Sequence, residues 1–508
     1  MLEEERKYEV DPGFVLPDLI ASLPKHSRVL EHPPATLTAT YFDTPDLRLA
    51  RAGVSLRHRQ GDERPWTVKL PTGTTGVRHE ISRAGRRGSP PADLVALVTA
   101  YSRGAGLEPA AVVRTVRRAY DVLDAGRLLA EIADDAVEVL HGKRVTATFR
   151  ELEVERKSDD RELLDRLEPA LVAAGARAGS FVPKHVRALG PAAAGPPDLV
   201  PAGDLPAKPT AGDVAVAAIR RDVARILEHD PLVRLGEPLP DGDTPVHQMR
   251  VGCRRLRSDL RTFGPLLAGG FADPLRDELK WIAGVLGEAR DAEVQRERLR
   301  LTAAADPVSP LDTAAVDRLD ALLAARQERA LAAVAEALGS ARYRALVGAL
   351  VDATREPRLT AAAARKAADV LPGLVAKPWR RLAGGGGDRI APQQLGALDP
   401  DERWHAVRIE GKKARYALDA VAPVLGGGPR RLAKALSRVQ SLLGEHQDAH
   451  VAAQTWLELA AELPHDHAVA VTAGRLFERE RAAIRAARAE FPEAWQRADE
   501  QGRTGWLP

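Results

Sequence analysis

The sequence predicts a multidomain α+β chain, an antiparallel β-barrel followed by an all-α domain made of a duplicated helical unit. Three observations lead there. Before about residue 188, charged residues of both signs recur at period two in Val- and Thr-bearing segments broken by Gly and Pro. Between about 190 and 210 the chain turns rich in Pro, Ala and Gly. Beyond that stretch apolar residues recur at helical spacing, and one helical segment occurs twice.

Size and composition fit folded domains. A chain of 508 residues is too long for one ordinary core, which implies two to four domains. The 74 basic residues nearly cancel the 71 acidic ones, so only clustering of charge can identify a partner. A single cysteine, Cys253, excludes an internal disulfide and fits a reducing compartment. No apolar run approaches the roughly 18–20 residues of a membrane helix. The acidic start is unlike a secretion signal, so the expected setting is cytoplasmic, with no membrane partner.

The first segment, MLEEERKYEV, puts Glu3, Glu5 and Lys7 on one face of a strand. Charges at the same period follow in LRHR (Arg57, Arg59), TVKL (Lys69), RHE (Arg78, Glu80), AEIADD (Glu131, Asp135) and RELEVE (Glu151, Glu153, Glu155). VPKHVR (Lys184, Arg187) is read with them. Helices are expected within PADLVALVTAYSR and DRELLDRLEPALVAAG. A strand normally hides apolar side chains and shows polar ones to water. Both signs of charge on one face of several strands instead suit a closed barrel with a wet, charged lumen. Basic groups there would hold a polyanion, and carboxylates the divalent metal that accompanies it. That combination describes a phosphate-ester or phosphoanhydride site.

The stretch 191–210 reads as an interdomain linker, semi-stiff because of its prolines. The helical domain is expected over 211–500, with repeats at about 211–380 and 395–500 and a loop at Gly384–Gly387. VHQMRVGCRRLRSDL, from Val246, aligns without gaps onto WHAVRIEGKKARYAL, from Trp404. The alignment pairs His247 with His405, Arg250 with Arg408, Arg254 with Lys412, Arg255 with Lys413 and Arg257 with Arg415. Downstream, VLGEARDAEV and LLGEHQDAHV place Asp291 opposite Asp448. On a helix, His247, Arg250, Arg254, Arg257 and Arg261 form one basic stripe, and His405, Arg408, Lys412 and Arg415 a second. Like charges at such spacing repel, so a retained duplicate stripe points to a bound anion. Few aromatic residues lie near (Phe263, Trp404, Tyr416). Base stacking would need more, so a phosphate chain without bases fits better than a specific nucleic acid. His446, Asp448 and His450 are not read as a metal centre, because Ala289 and Glu293 stand at the matching histidine positions of the first repeat.

Residues 1–190 resemble the CYTH family of triphosphate tunnel metalloenzymes. The resemblance rests on Glu3-x-Glu5-x-Lys7, YFDTPDLRL at 41–49, LRHR, WTVKLP, RELEVE and Lys184. Residues 210–500 resemble the CHAD domain through the paired HxxR stripes and the LGExxxD turns. The resemblance implies an eight-stranded antiparallel barrel forming a tunnel, then a helical module associated with polyphosphate. It implies metal-ligand roles for Glu3, Glu5, Asp135, Glu131, Glu153 and Glu155, with Glu80 as a further candidate. Of these, Glu3, Glu5, Glu153 and Glu155, with Lys7, would form the catalytic set. Lys7, Arg57, Arg59, Lys69, Arg78 and Lys184 would bind phosphate, as would Arg117 or Arg118, whichever the strand register turns inward. Pro183 stands where the family often has Ser before the late Lys. In the helical domain His247, Arg250, Arg254, Arg255, Arg257, His405, Arg408, Lys412, Lys413 and Arg415 would bind long-chain polyphosphate. The activity implied is hydrolysis of inorganic triphosphate or short polyphosphate with Mg2+ or Mn2+. The alternatives are thiamine triphosphatase or class IV adenylate cyclase chemistry on the same fold, or a non-catalytic protein of polyphosphate granules.

Overall fold

The structure is a computed structural model that describes residues 2–74, 76–178, 182–384 and 390–507. It divides into two compact units, Met1–Asp198 and Leu199–Pro508. The boundary falls inside the Pro-rich stretch. Among the described residues no helix is long and apolar enough to cross a membrane.

Among the described residues ten strands build the first unit: β1 (Leu2–Glu9), β2 (Ser27–Glu31), β3 (Ala35–Asp43), β4 (Ser55–Gln60), β5 (Trp66–Pro71), β6 (Val77–Arg83), β7 (Glu108–Asp124), β8 (Arg127–His141), β9 (Arg144–Arg156) and β10 (Arg177–Ala178). Eight of them run in the order β1-β6-β5-β4-β3-β7-β8-β9, and β9 pairs again with β1. The result is a closed eight-stranded antiparallel barrel. β2 lengthens the wall beside β7, and β10 pairs with the end of β1.

Among the described residues five α-helices accompany the barrel: α1 (Arg48–Arg51), α2 (Ala92–Leu97), α3 (Thr99–Ser102), α4 (Leu163–Ala173) and α5 (Lys184–Leu189). α4 covers the outside. Its Leu163, Leu167 and Leu171 pack on Tyr8, Ile132, Leu152 and Val154. Arg6, also outward, binds Glu168 and Asp165 of α4. Glu5 and Lys7 therefore point the other way, into the lumen, as alternation along β1 requires.

Two sequence features act differently from expectation. VPKHVR is not a strand, because Lys184–Leu189 form α5. Pro183 cannot continue a ladder and sits in extended conformation as its N-cap. Lys184 and Arg187 are three residues apart, which suits a helix. The first part of the expected linker belongs to the N-terminal unit. Residues Pro191–Ala194 form a 3-10 turn, and Asp198 accepts hydrogen bonds from Arg51 and Arg103.

The second unit comprises α6 (Ala211–Leu235), α7 (Pro245–Thr262), α8 (Ala272–Ala304), α9 (Thr313–Gly339), α10 (Ala341–Arg355), α11 (Ala367–Gly384), α12 (Asp401–Leu425), α13 (Gly427–Ala461) and α14 (His467–Gly502). Thr210 caps α6 in a reciprocal box with Asp213. The aligned segments occupy α7 and α12, and the two LGE-containing segments occupy α8 and α13. Leu418 and Val421 of α12 share a core with Leu436 and Val439 of α13 and Phe491 and Trp495 of α14. Of the glycine run, Gly384 ends α11 and Gly385–Gly387 lie outside the described residues.

The YFDTPDLRL segment is a folding device. The buried Asp43 carboxylate accepts hydrogen bonds from the backbone N–H groups of Thr44 (2.7 Å), Leu49 (2.9 Å) and Ala50 (2.9 Å), which knots the end of β3 to α1. Asp43→Ala orphans three buried donors and is expected to destabilise the N-terminal unit by about 3 kcal/mol. Equilibrium urea unfolding checks this, and a loss below about 0.5 kcal/mol, the size of an ordinary surface change, would refute the knot.

Candidate functional site

The acidic side of the lumen is built by β1, β8 and β9. Strand register sets Asp135 opposite Glu151, and Lys7 opposite Glu153. Oxygens of Asp135, Glu151 and Glu153 lie within 4.8 Å of one another and could hold a metal ion. Lys184 enters from α5 with Nζ 2.5 Å from Asp135, 3.0 Å from Glu151 and 3.6 Å from Glu153. Arg117 forks onto Asp135 at 2.8 and 2.7 Å. Lys7 hydrogen-bonds Glu153 and lies 3.1 Å from Oε1 of Glu5.

Burial sets the proton affinities against one another. It disfavours ionised Glu153, but Lys184, Lys7 and Arg117 outweigh it and hold that carboxyl well below its usual range. Asp135 is also lowered: burial opposes ionisation, and Lys184 and Arg117 overcome it. At Glu151 burial wins and the pKa rises. Burial disfavours charged Lys7 and Lys184 too, yet the facing carboxylates keep both ammonium groups protonated more firmly than usual. All-oxygen donors suit a hard divalent cation. Oε1 of Glu5 and of Glu151 are buried and faced by the Lys7 and Lys184 ammonium groups at 3.1 and 3.0 Å.

β4, β5 and β6 supply the basic side. Arg57 is half-buried and flanked by Tyr41 and Glu80. Lys69 pairs with Glu80 at 3.0 Å, Arg78 donates to the Gly53 carbonyl at 2.9 Å, and Arg59 binds Asp62. Among these cations stands His185, stacked on Tyr41 at 5.8 Å with Nε2 buried and unpartnered. Burial, then Arg78, Lys7, Arg57 and Lys69, push its pKa down to about 3, so the imidazole is neutral. The charged face of β8 ends at Asp135. Val137 and Val139 come next at period two and join Ala39, Tyr41 and Val113 in an apolar cluster with Phe149 and Ala188.

In the helical unit the two basic stripes meet. Burial, then Arg254 and Arg408, lower the Lys412 pKa to about 6, so α7 and α12 present their cations to each other. Arg254 donates to the Tyr416 hydroxyl at 3.4 Å, and Arg250 lies 3.8 Å from Asp291. Among the described residues Arg254, Arg257, Arg408 and Lys412 make no ion pair, and Nε of Arg250 and of Arg408 is buried without a hydrogen bond.

The chain matches the CYTH domain over residues 1–182 and the CHAD domain over residues 217–457. It is 31% identical over 481 residues to the uncharacterized proteins MT2285 and Rv2226 from two strains of Mycobacterium tuberculosis, covering 90% of this chain and 89% of each relative. The chain belongs to the family that joins a CYTH to a CHAD domain. Among solved structures it is similar to PptA from Streptomyces chartreusis (27% identity, TM-score 0.47), covering 57% of this chain and 99% of that one. The CHAD domain of the plant Ricinus communis is likewise 27% identical, with a TM-score of 0.42, over 57% of this chain and 96% of that domain.

Most of the residues singled out in the CYTH unit converge, with exceptions. Arg118 is exposed on the outer face, because alternation turns Arg117 inward. Glu131 and Glu155 lie apart from the triad and share Lys157 at 3.0 and 2.6 Å. Glu3 pairs with Arg78 through its backbone, while its side chain is outside the described residues. Glu151, read among the alternating charges of RELEVE, carries no site role from sequence, and His185 carries no reading at all. Glu151 had the same period-two signal as Glu153, whereas nothing in sequence marked His185.

In the CHAD unit Arg255 turns away toward the buried Asp222 and Asp259. Lys413 pairs with Glu410 at 2.6 Å and Arg415 with Asp419 at 3.7 Å. His405 bonds Gln447, and His247 lies 3.9 Å from Asp243. His446 and His450 brace Asp401 at the start of α12, at 3.2 and 3.0 Å.

Because the folded-state pKa of Glu153 is depressed, the native state binds fewer protons there than the unfolded chain. Its contribution to stability is complete above the ordinary carboxylate range and is lost as pH falls toward the folded value. Acid titration of wild type should therefore show progressive loss of CYTH-unit stability below about pH 5. In Glu153→Gln that dependence should flatten, and identical slopes in the two proteins would refute the pairing.

Proposed function

We propose that the CYTH unit hydrolyses phosphoanhydride bonds of inorganic triphosphate or short polyphosphate with Mg2+ or Mn2+, and that the CHAD unit binds long-chain polyphosphate. One observation carries the reading: a closed lumen whose cations Lys7, Arg57, Lys69, Arg78, Arg117 and Lys184 face a carboxylate cluster. The cations bind and orient the phosphate chain and lower its effective charge, without which an anionic substrate repels any anionic nucleophile. Asp135 and Glu153, held ionised, would hold the metal with Glu151 adjoining. A bound metal would supply Lewis-acid neutralisation of charge on the phosphoryl oxygens. Glu151, whose proton affinity burial raises, is the carboxylate suited to accept a proton from water. The rings of Tyr41 and His185 stack on each other, which favours an inorganic chain over a substrate with an organic base.

A panel of phosphate-release assays with tripolyphosphate, ATP, thiamine triphosphate and long-chain polyphosphate tests the activity. Tripolyphosphate should be the best substrate, only with a divalent cation. Glu5→Gln should lower its turnover by about a hundredfold or more, because charge stabilisation is the main catalytic term. Near-normal turnover in a folded variant would refute the assignment.

The helical cluster gives a separate test. An anion on α7 and α12 offsets Arg254 and Arg408 and raises the Lys412 pKa, so binding takes up a proton. Affinity of the full chain for long-chain polyphosphate should rise as pH falls toward about 6 and fall as salt rises. Lys412→Met should abolish the pH effect, and Arg250→Glu with Arg254→Glu should abolish binding. Calorimetry checks each outcome, and a pH-independent affinity in wild type would contradict the cluster as the binding site.

A further inference from the structure

We propose that the Lys184 ammonium is the tunnel's own place-holder for the divalent cation, released from the carboxylates when the metal binds and handed to the phosphate chain. The inference rests on the metal-dependent reading of the tunnel and adds a role that reading does not require. Its first support is position. Nζ of Lys184 lies 2.5, 3.0 and 3.6 Å from Asp135, Glu151 and Glu153. Those residues are also the one group among the described residues whose oxygens are spaced to share a metal ion.

Charge is the second support. Glu5, Asp135, Glu151 and Glu153 carry four formal negative charges, and Lys7 and Arg117 return two. The remainder is what one divalent cation neutralises, and Lys184 supplies half of it. Third, the ammonium leaves its site incompletely satisfied. Nζ reaches Asp135 at 2.5 Å and Glu151 at 3.0 Å but stays 3.6 Å from Glu153, so it does not bond all three carboxylates at once. An ammonium offers three directed donors, whereas a hard cation gathers carboxylate oxygens without that restriction.

The side chain is also placed to move. Lys184 opens α5 on an unbranched four-carbon stem, so rotation of that stem relocates the ammonium without a backbone shift. The next residue, His185, lies among Arg78, Lys7, Arg57 and Lys69. The first turn of α5 therefore sits between the acidic and basic sides of the lumen. An ammonium displaced from the first reaches anions held by the second. Metal and triphosphate then each favour the other's binding, as linkage requires.

The experiment measures Mn2+ binding to full-length protein without phosphate, by calorimetry and by the electron paramagnetic resonance signal of free Mn2+. Wild type, Lys184→Gln and Lys184→Arg are compared. If Lys184 competes with the metal, Lys184→Gln binds Mn2+ about tenfold tighter or more, because a unit charge a few ångströms away has gone. Lys184→Arg, which keeps the charge, gains nothing. Lys184→Gln should also bind tripolyphosphate more weakly. A Lys184 that serves only phosphate or packing predicts unchanged or weaker Mn2+ binding in Lys184→Gln, and that result overturns the proposal. Loss of the ammonium leaves buried carboxylates uncompensated, so the variant should melt lower and regain more from Mn2+ than wild type does. A variant whose melting ignores Mn2+ also overturns it. If Lys184→Gln gains Mn2+ affinity but wild type releases no phosphate from any substrate, the place-holder stands and the hydrolase reading falls. If wild type hydrolyses tripolyphosphate and Lys184→Gln gains no affinity, the reverse holds.

Discussion

The seam where β1 meets β9 makes a tunnel of the N-terminal sheet. Six consecutive residue pairs, from Glu4↔Arg156 to Glu9↔Glu151, close the barrel there. Closure turns the alternating charges of β1 inward against those of β9, so Lys7 meets Glu153. Without it the same residues would line an open, solvated face, where ion pairs are worth little. Inside a lumen they are desolvated, and desolvated charges must be matched. The register of one seam thus decides that the unit holds a tightly paired cluster rather than a polar surface.

The two units gather cations by opposite electrostatic logic. In the tunnel Lys7, Lys184 and Arg117 are disfavoured by burial, but the carboxylates they face raise their pKa values. That site is largely neutralised internally, and a ligand must reorganise existing pairs to enter. Between α7 and α12 burial works with like-charge neighbours, so Lys412, Arg250 and Arg408 are all lowered. Asp291 and Asp448 offset only part of this. Apart from the 3.8 Å contact of Arg250 with Asp291, such a cluster gains from an anion without breaking a pair among the described residues, which suits capture of a polyanion more than chemistry on it.

What was legible in sequence follows from which periodicity a residue obeys. Glu5, Lys7, Arg57, Lys69 and Glu153 announce their common face because strand alternation is rigid, and the structure turns all of them inward. Period two cannot say which of two adjacent residues faces in when both are arginine, and only the pairing of Arg117 with Asp135 separates it from Arg118. Lys184 looked like a strand residue because its charge fitted the theme. Pro183 and the three-residue spacing to Arg187 carried the contrary information. In the helices a residue adjacent to the stripe is rotated by about 100°. That is why Arg255 and Lys413 leave the cluster for Asp222 and Glu410 while Arg254 and Lys412 stay. His185 carried no periodic signal at all, because its importance lies in neighbours contributed by other strands.

Lumen length connects these points to the division of labour proposed for the two units. On β9 the inward carboxylates run from Glu151 to Glu155, four residue steps or about 13 Å at strand rise. Past Asp135 the inner face of β8 turns to Val137 and Val139, and Tyr41, Val113, Phe149 and Ala188 fill that end with apolar side chains. The cation at that end, Arg187, lies over the Phe149 ring at 4.0 Å and already faces Glu9 and Glu151 at 3.6 and 3.8 Å, so a phosphate chain that continued would shed hydration against hydrocarbon and compete for a paired guanidinium. The charged segment is thus the part of the lumen that suits the short anion proposed for this unit. The α7–α12 cluster has no such stop: its cations repeat along two helices, so a longer chain finds further contacts as it lengthens. An internally paired lumen and a helical cluster with few pairs suit, respectively, the short and the long phosphate chains proposed for the two units.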